Sequence, residues 1–150
     1  MIRVGGPGDA FALLPLVEDF YRVDGHQFDR DFVLAGLRPL LESDRHGFVL
    51  VAGGVADSDL DGYLVITWGY SLESGGRDAL VDEFYVSRQG QGVGGRLLDS
   101  ALGMLAERGI RKVFLETERD NARVRSMYQR HGFVEQDSVW MSTDLGLADT

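Results

Sequence analysis

Apolar and polar positions change period several times along the chain. Ile2 to Val4 can form a short strand. In "GPGDAFALLPLVEDFYRV", Phe11, Leu14, Val17, Phe20 and Tyr21 recur at helical spacing, with Asp9 as N-cap and Pro15 kinking the helix or shifting its start. "DGHQFD" reads as a loop, and "RDFVLAGLRPLLES" as a second helix whose apolar set is Phe32, Leu37, Leu40 and Leu41. The period then shortens. Phe48 to Ala52, Tyr63 to Leu72 and Ala79 to Val86 are apolar strands separated by the turn clusters "DSDLDG" and "ESGGRD", a spacing that predicts an antiparallel meander. Helical spacing returns from Gly92 to Arg108, where Leu97, Leu98, Ala101, Leu102 and Leu105 share one face and Gly109 is a natural C-cap. Lys112 to Thr117 reads as a strand and "NARVRSMYQRH" as a short helix ending at Gly132. "FVEQDSVWMSTDL" reads as one or two last strands, and "GLADT" as a frayed tail. The pattern predicts a single α/β domain over residues 1–150. Its mixed sheet is antiparallel first, with one β-α-β crossover after Ala79.

Composition narrows the function classes. No apolar run approaches the roughly 18 residues of a membrane span, and "MIRVGGPGDAF" lacks the basic-then-apolar pattern of a signal peptide. Cysteine is absent, which removes disulfides, thiolate nucleophiles and Cys-based metal sites and fits a cytoplasmic protein. His26, His46 and His131 are scattered and form no metal constellation. The net charge is −9. Fifteen acids and six arginines lie up to Val86, and nine acids and nine bases lie from Ser87 onward, so all the excess negative charge sits in the first half. An acidic surface disfavours nucleic acid and attracts a cation such as an amine. It also simply aids solubility.

The stretch "RQGQGVGGRLL", Arg88 to Leu98, contains a literal G-x-G-x-x-G at Gly90, Gly92 and Gly95. A dinucleotide reading has support: a strand precedes, a helix follows, and Glu116 stands where a ribose-binding acid belongs. Against it, a dinucleotide fold needs repeated β-α-β units, and here a meander occupies their place. A P-loop requires Gly-Lys-Ser/Thr, but Gly94 is followed by Gly95 and Arg96, and the only lysine is Lys112. A third register reads Gln89-x-x-Gly92-x-Gly94, whose exposed amides run into a helix N-terminus suited to a pyrophosphate. Without a ligand, four glycines in six residues are costly in conformational entropy.

"VDEFYVSRQGQGVGGRLL" followed by "FLETERDNARVRSMYQRHGF" resembles the GCN5-related N-acetyltransferases. Their acetyl-CoA motif, Arg/Gln-x-x-Gly-x-Gly/Ala after a strand, is matched by Gln89, Gly92 and Gly94. Asn121, Tyr128 and Gly132-Phe133 match the elements that follow it. The two N-terminal helices and the meander are also similar to this family, and "GYSLESGGRDALVDEFYV" resembles one bacterial branch of small acetyltransferases. The resemblance implies a splayed central sheet and direct acetyl transfer from acetyl-CoA to an amine. It is a departure that Gln89 stands where arginine is commoner, losing a charge on the pyrophosphate.

The resemblance also implies roles. The amides of Gly90, Gln91, Gly92, Val93, Gly94 and Gly95, with Gln89, would hold the pyrophosphate. Backbone at Phe84, Tyr85 and Val86 would pair with the pantetheine arm, and Asn121 would bond it from the far side. Arg123, Arg125 and Arg130 would meet the adenosine phosphates, or simply form a solvated face. Tyr128 would protonate the leaving thiolate, unless it is a core aromatic. An alkylammonium must lose a proton, and Asp82 and Glu83 are the candidate bases. Strand alternation puts these two on opposite faces, so only one faces the acceptor. Tyr21, Asp24, His26 and Phe28, with Trp68, Tyr70 and Glu73, supply aromatic and acidic character for a small-molecule amine. Each of them could equally be ordinary packing. Exposed strand edges near the C-terminus could pair two chains as a homodimer. The alternatives are a non-catalytic acyl-CoA-binding or regulatory module and a dinucleotide-binding protein.

Overall fold

Asp9 leads the chain into its first helix, but not through a cap bond. In the computed structural model, which describes residues 1–53 and 59–146, β1 (Ile2–Val4) is followed by a 3-10 turn (Pro7–Asp9) and α1 (Ala10–Asp24). Asp9 stands at the N-cap position of α1, yet its carboxylate makes no cap bond there. It accepts instead from the Gly6 N–H at 2.8 Å and from both Arg3 guanidinium nitrogens at 2.7 and 2.8 Å, bracing the turn to β1. Pro15 lies inside α1 and Pro39 inside α2 (Arg30–Glu42), each helix running through its proline. Asp29 caps α2 by accepting from the Phe32 N–H. The buried stripes differ from the expected ones. Leu13, Leu14, Leu16 and Val17 line α1, and Leu34, Leu37 and Leu41 line α2. Phe11 and Phe32 are exposed, and Phe11 lies under the guanidinium groups of Arg30 and Arg38.

The predicted meander is present, with longer strands. β2 (Gly47–Gly53), β3 (Leu60–Ser71) and β4 (Gly76–Val86) pair antiparallel, and β1 joins β2. β3 takes in Leu60, Asp61 and Gly62 of the turn cluster "DSDLDG"; Asp57 and Ser58 lie outside the described residues, as do residues 147–150 of the tail. α3 (Val93–Glu107) then crosses over to β5 (Val113–Leu115), which pairs parallel to β4 and completes the order β1-β2-β3-β4-β5. Gly109 ends α3 in a left-handed turn, and the Ile110 N–H reaches back to the Leu105 carbonyl. α1 and α2 cover the face carrying Val49, Val51, Tyr63 and Val65. The alternate positions Leu50, Leu64 and Ile66 are equally buried on the other face, where α3 packs across β2, β3 and β4.

The chain divides into two compact units, Met1–Glu118 and Arg119–Thr150. The second contains α4 (Ala122–Arg130), closed by Gly132 in a left-handed conformation. The one or two last strands expected over "FVEQDSVWMSTDL" are not formed: residues 134–146 contain no strand. Val139, Trp140 and Met141 are consecutive and exposed, so neither face of an extended segment would be consistently apolar, and register would be weakly specified. Residues 134–146 therefore offer no strand edge, and the sheet ends on β5.

Candidate active site

β4 carries one more residue than the strand it faces. Val65 pairs with Glu83 and Ile66 with Val81, leaving Asp82 as the extra residue of a β-bulge. This overturns the expectation that alternation separates the two acids. Counting forward from Val81, which pairs with Ile66 on the α3 face, Asp82 turns to the α1 face. Counting back from Tyr85, which pairs with Tyr63, Glu83 turns to the α1 face as well. Both carboxylates therefore share the face covered by α1 and α2. Just there the sheet opens. β5 ends at Leu115, so its ladder to β4 stops at Val81, while β4 continues to Val86.

Glu83 is held at both oxygens. The Tyr21 hydroxyl, from α1, donates to Oε2 at 2.6 Å, and the Tyr63 hydroxyl, from β3, donates to Oε1 at 2.9 Å. Tyr63 is 1% exposed, and leaving its hydroxyl unpaired there would cost about 1–3 kcal/mol. Burial pushes the Glu83 carboxyl above its ordinary value. The two tyrosine donors and His26 oppose that rise, and the Asp82 charge adds to it. Burial raises Asp82 too. Both tyrosines are pushed well above the usual phenol range, by burial first and then by Glu83. Around Tyr21 stand His26 and Phe28, their rings edge-on at 5.9 and 6.1 Å, and His26 Nε2 pairs with Asp24 at 2.7 Å.

Tyr21, Asp24, His26 and Phe28 thus gather with Glu83, but Trp68, Tyr70 and Glu73 do not. Trp68 pairs with Ala79 toward the other end of β3, and alternation places it with Ile66 on the α3 face. Its indole N–H donates to the Asp44 carbonyl at 2.8 Å, and its ring lies under Arg77 and Arg108. Tyr70 is 81% exposed, and Glu73 is exposed in the turn that follows. Tyr63 is not among the residues that the sequence pattern singles out. Its signal was a hydroxyl inside the apolar run "YLVI", since a buried phenol needs a partner.

After β4 the glycine loop leads into α3. Gly90 and Gly92 have φ of 86° and 76°, and Gly92 is the N-cap of α3. A side chain at either position would be strained, so the glycines set this turn. Val93, Gly94 and Gly95 open the helix, and the first amides of a helix have no acceptor within it. The Gln89 side chain does not extend from the loop; its Nε2 donates to the Val86 carbonyl at 3.2 Å. Arg96, in the first turn, donates to the Gln91 carbonyl at 3.3 Å and adds positive charge beside these amides.

In the second unit, Asn121 caps α4 by accepting from the Val124 N–H at 3.2 Å, so its side-chain NH2 is the part a ligand would meet. Tyr128 is buried, edge-on to Phe133 at 5.8 Å, and burial pushes its hydroxyl up to about 12. Arg125 pairs with Glu135 at 3.7 Å, whereas Arg123 and Arg130 are exposed.

The arrangement can be set beside known proteins. The sequence matches the acetyltransferase (GNAT) family over residues 12–133. Over 61 residues it is 43% identical to a mycothiol acetyltransferase of Beutenbergia cavernae; the match takes in 37% of this chain and only 20% of that protein's length. It is 26% identical over 136 residues to the uncharacterized N-acetyltransferase YhfO of Bacillus subtilis, covering 89% of each chain. An integron cassette protein from the mobile metagenome of Cole Harbour salt marsh has a similar structure. Its TM-score is 0.83 at 27% identity, over 96% of this chain and 90% of that one. The family match runs from α1 through the Gly132-Phe133 that closes α4, and the chain belongs to the acetyltransferase (GNAT) family.

Proposed function

We propose that this protein is an acetyl-CoA-dependent N-acetyltransferase that moves the acetyl group directly to a primary amine, a small cationic one. The observation that carries the reading is the part-buried Glu83 carboxylate held by two tyrosines beside Asp82, at the point where β4 outruns β5. A module that only binds acyl-CoA needs no such group. A carboxylate raised toward neutrality is also a better-matched base for an ammonium than an ordinary glutamate. The dinucleotide alternative loses its ground, because the sheet contains one crossover rather than a repeat.

In this reading the amides from Gly90 to Gly95 hold the pyrophosphate at the start of α3. Backbone at Phe84, Tyr85 and Val86 pairs with the pantetheine arm and polarises the thioester carbonyl, and the Asn121 amide bonds the arm. The neutral amine attacks the carbonyl carbon, the C–S bond breaks, and Tyr128 protonates the thiolate. A phenol near 12 facing a thiol near 8.5 makes that donation uphill by about 5 kcal/mol. A thiolate leaving into a dry setting binds its proton more tightly as well, which narrows the gap. Tyr21, Asp24, His26 and Phe28 form the acceptor side, where acids and aromatic rings favour a cation.

An acceptor screen tests the reading by following free CoA across polyamines, aminoglycosides, amino acids and peptide N-termini. Small cationic amines are expected to be acetylated. Activity confined to peptides or neutral amines would remove the acceptor assignment, and tighter binding of NAD than of acetyl-CoA would remove the whole account.

A further inference from the structure

We propose that Tyr21, rather than Glu83 itself, takes the proton from the acceptor ammonium and passes its own to Glu83. The inference rests on the transferase reading above and goes one step further into its chemistry. Both Glu83 oxygens already accept hydroxyl donors, Oε1 from Tyr63 and Oε2 from Tyr21. An ammonium reaching the carboxylate directly must displace one of them or share an oxygen with it. The two donors are not equivalent. Tyr63 is fully buried under α1 and α2 and has no route to a substrate. Tyr21 is part-buried at the outer side of the cluster, where Phe28 and the His26–Asp24 pair frame its ring.

The step balances as a relay. The ammonium N–H breaks as its proton moves onto Tyr21 Oη; the Tyr21 O–H breaks as its own proton moves onto Glu83 Oε2. The products are a neutral amine, an intact tyrosine and a protonated Glu83. No tyrosinate accumulates, which agrees with the reluctance of Tyr21 to ionise beside Glu83. Tyr63 is a positioning residue: it fixes Oε1 so that Oε2 faces Tyr21. The groups that bear on Glu83 are Tyr21 from α1, His26 from the following loop, Tyr63 from β3 and Asp82 from β4; Asp24, the last residue of α1, pairs with His26, and Tyr85 of β4 bears on Tyr63.

The test compares Tyr21→Phe, Glu83→Gln, the double variant and Tyr63→Phe with the parent, using acetyl-CoA and the best acceptor of the screen. Circular dichroism and thermal melting confirm that each is folded. The relay predicts a loss of about 10²–10³-fold in kcat for Tyr21→Phe, similar to Glu83→Gln, with the double variant no worse than either, because the two act as one unit. Tyr63→Phe should move the acidic limb of the pH profile upward, since it removes a donor that lowers the Glu83 pKa. Transfer by Tyr21→Phe within about threefold of the parent overturns the relay and leaves Glu83 as the direct base. Multiplying losses in the double variant also overturn it. Acetyl-CoA binding with no transfer by the parent to any amine overturns the transferase reading and the relay together.

Discussion

The β3–β4 ladder carries an acid toward each end, and the two ends are built differently. At the hairpin end Asp78 is 7% exposed and accepts from Ser74, four residues away, at 2.9 Å. Trp68, on the opposite face of the ladder, is consumed by Phe48, Arg77, Arg108 and the Asp44 carbonyl. At the bulged end Glu83 accepts from Tyr21 and Tyr63, 62 and 20 residues distant in sequence. A local partner makes a buried acid part of a turn. Distant partners bring it under the control of the tertiary fold, and there burial lifts its pKa. Residue types alone did not separate the two ends; the range of their hydrogen bonds does.

The sharpest way to break the contrast is to neutralise each acid in turn. Glu83→Gln should lower kcat/KM about 10²–10³-fold, while Asp78→Asn should leave it within about threefold and cost about 1 kcal/mol of stability, read by steady-state kinetics and urea unfolding. Equal kinetic losses would erase the distinction. Tyr128→Phe should lower turnover by about 10²-fold with acetyl-CoA affinity unchanged, which calorimetric titration beside kinetics would verify; undiminished turnover would strip Tyr128 of the acid role. Trp68→Ala should cost about 2 kcal/mol, since the ring is half-buried, without changing KM for the amine. A raised KM would return Trp68 to the acceptor side.

Smaller effects sharpen the electrostatics. In the proposed reading the carboxylate form of Glu83 is the active one, so kcat/KM should rise with pH through a midpoint above that of an ordinary glutamate. Asp82→Asn removes a like charge that holds Glu83 up, so the limb should move to lower pH; an upward move would contradict the shared face of the two acids. The same raised pKa affects stability. A carboxyl that binds its proton more tightly when folded contributes most at low pH, and that contribution is lost as pH rises past its folded value. The stability of Glu83→Gln relative to the parent should therefore grow between pH 5 and pH 8, as urea unfolding at the two pH values would show.

The meander, the crossover and the helices were legible because each rests on a local period and a turn signal. Gly92 and Gly109 stand at the ends of α3, where their flexibility implied a boundary. Phe11 and Phe32 misled because a helical period leaves the face ambiguous by one position, and arginines can shelter an exposed ring. The site was legible in its residues but not in its grouping. Tyr21, Asp24, His26, Phe28 and Glu83 stand out by residue type, whereas a bulge leaves no mark in a run such as "ALVDEFYV". Without it, the two acids could not be placed on one face, nor Tyr63 linked to either of them.

Ten residues of β3, Gly62 to Ser71, face eleven of β4, Gly76 to Val86. Asp82 is thus a parity change written into the strand. Upstream of it, odd-numbered positions look toward α3; downstream, they look toward α1. The hairpin half of β4 and the half beyond the bulge are in opposite phase, and a single residue sets the phase between them. Deleting it would send Glu83 and Tyr85 to the α3 side and bring Phe84 and Val86 over in exchange. In the proposed transferase, cofactor and amine alike would depend on this odd count.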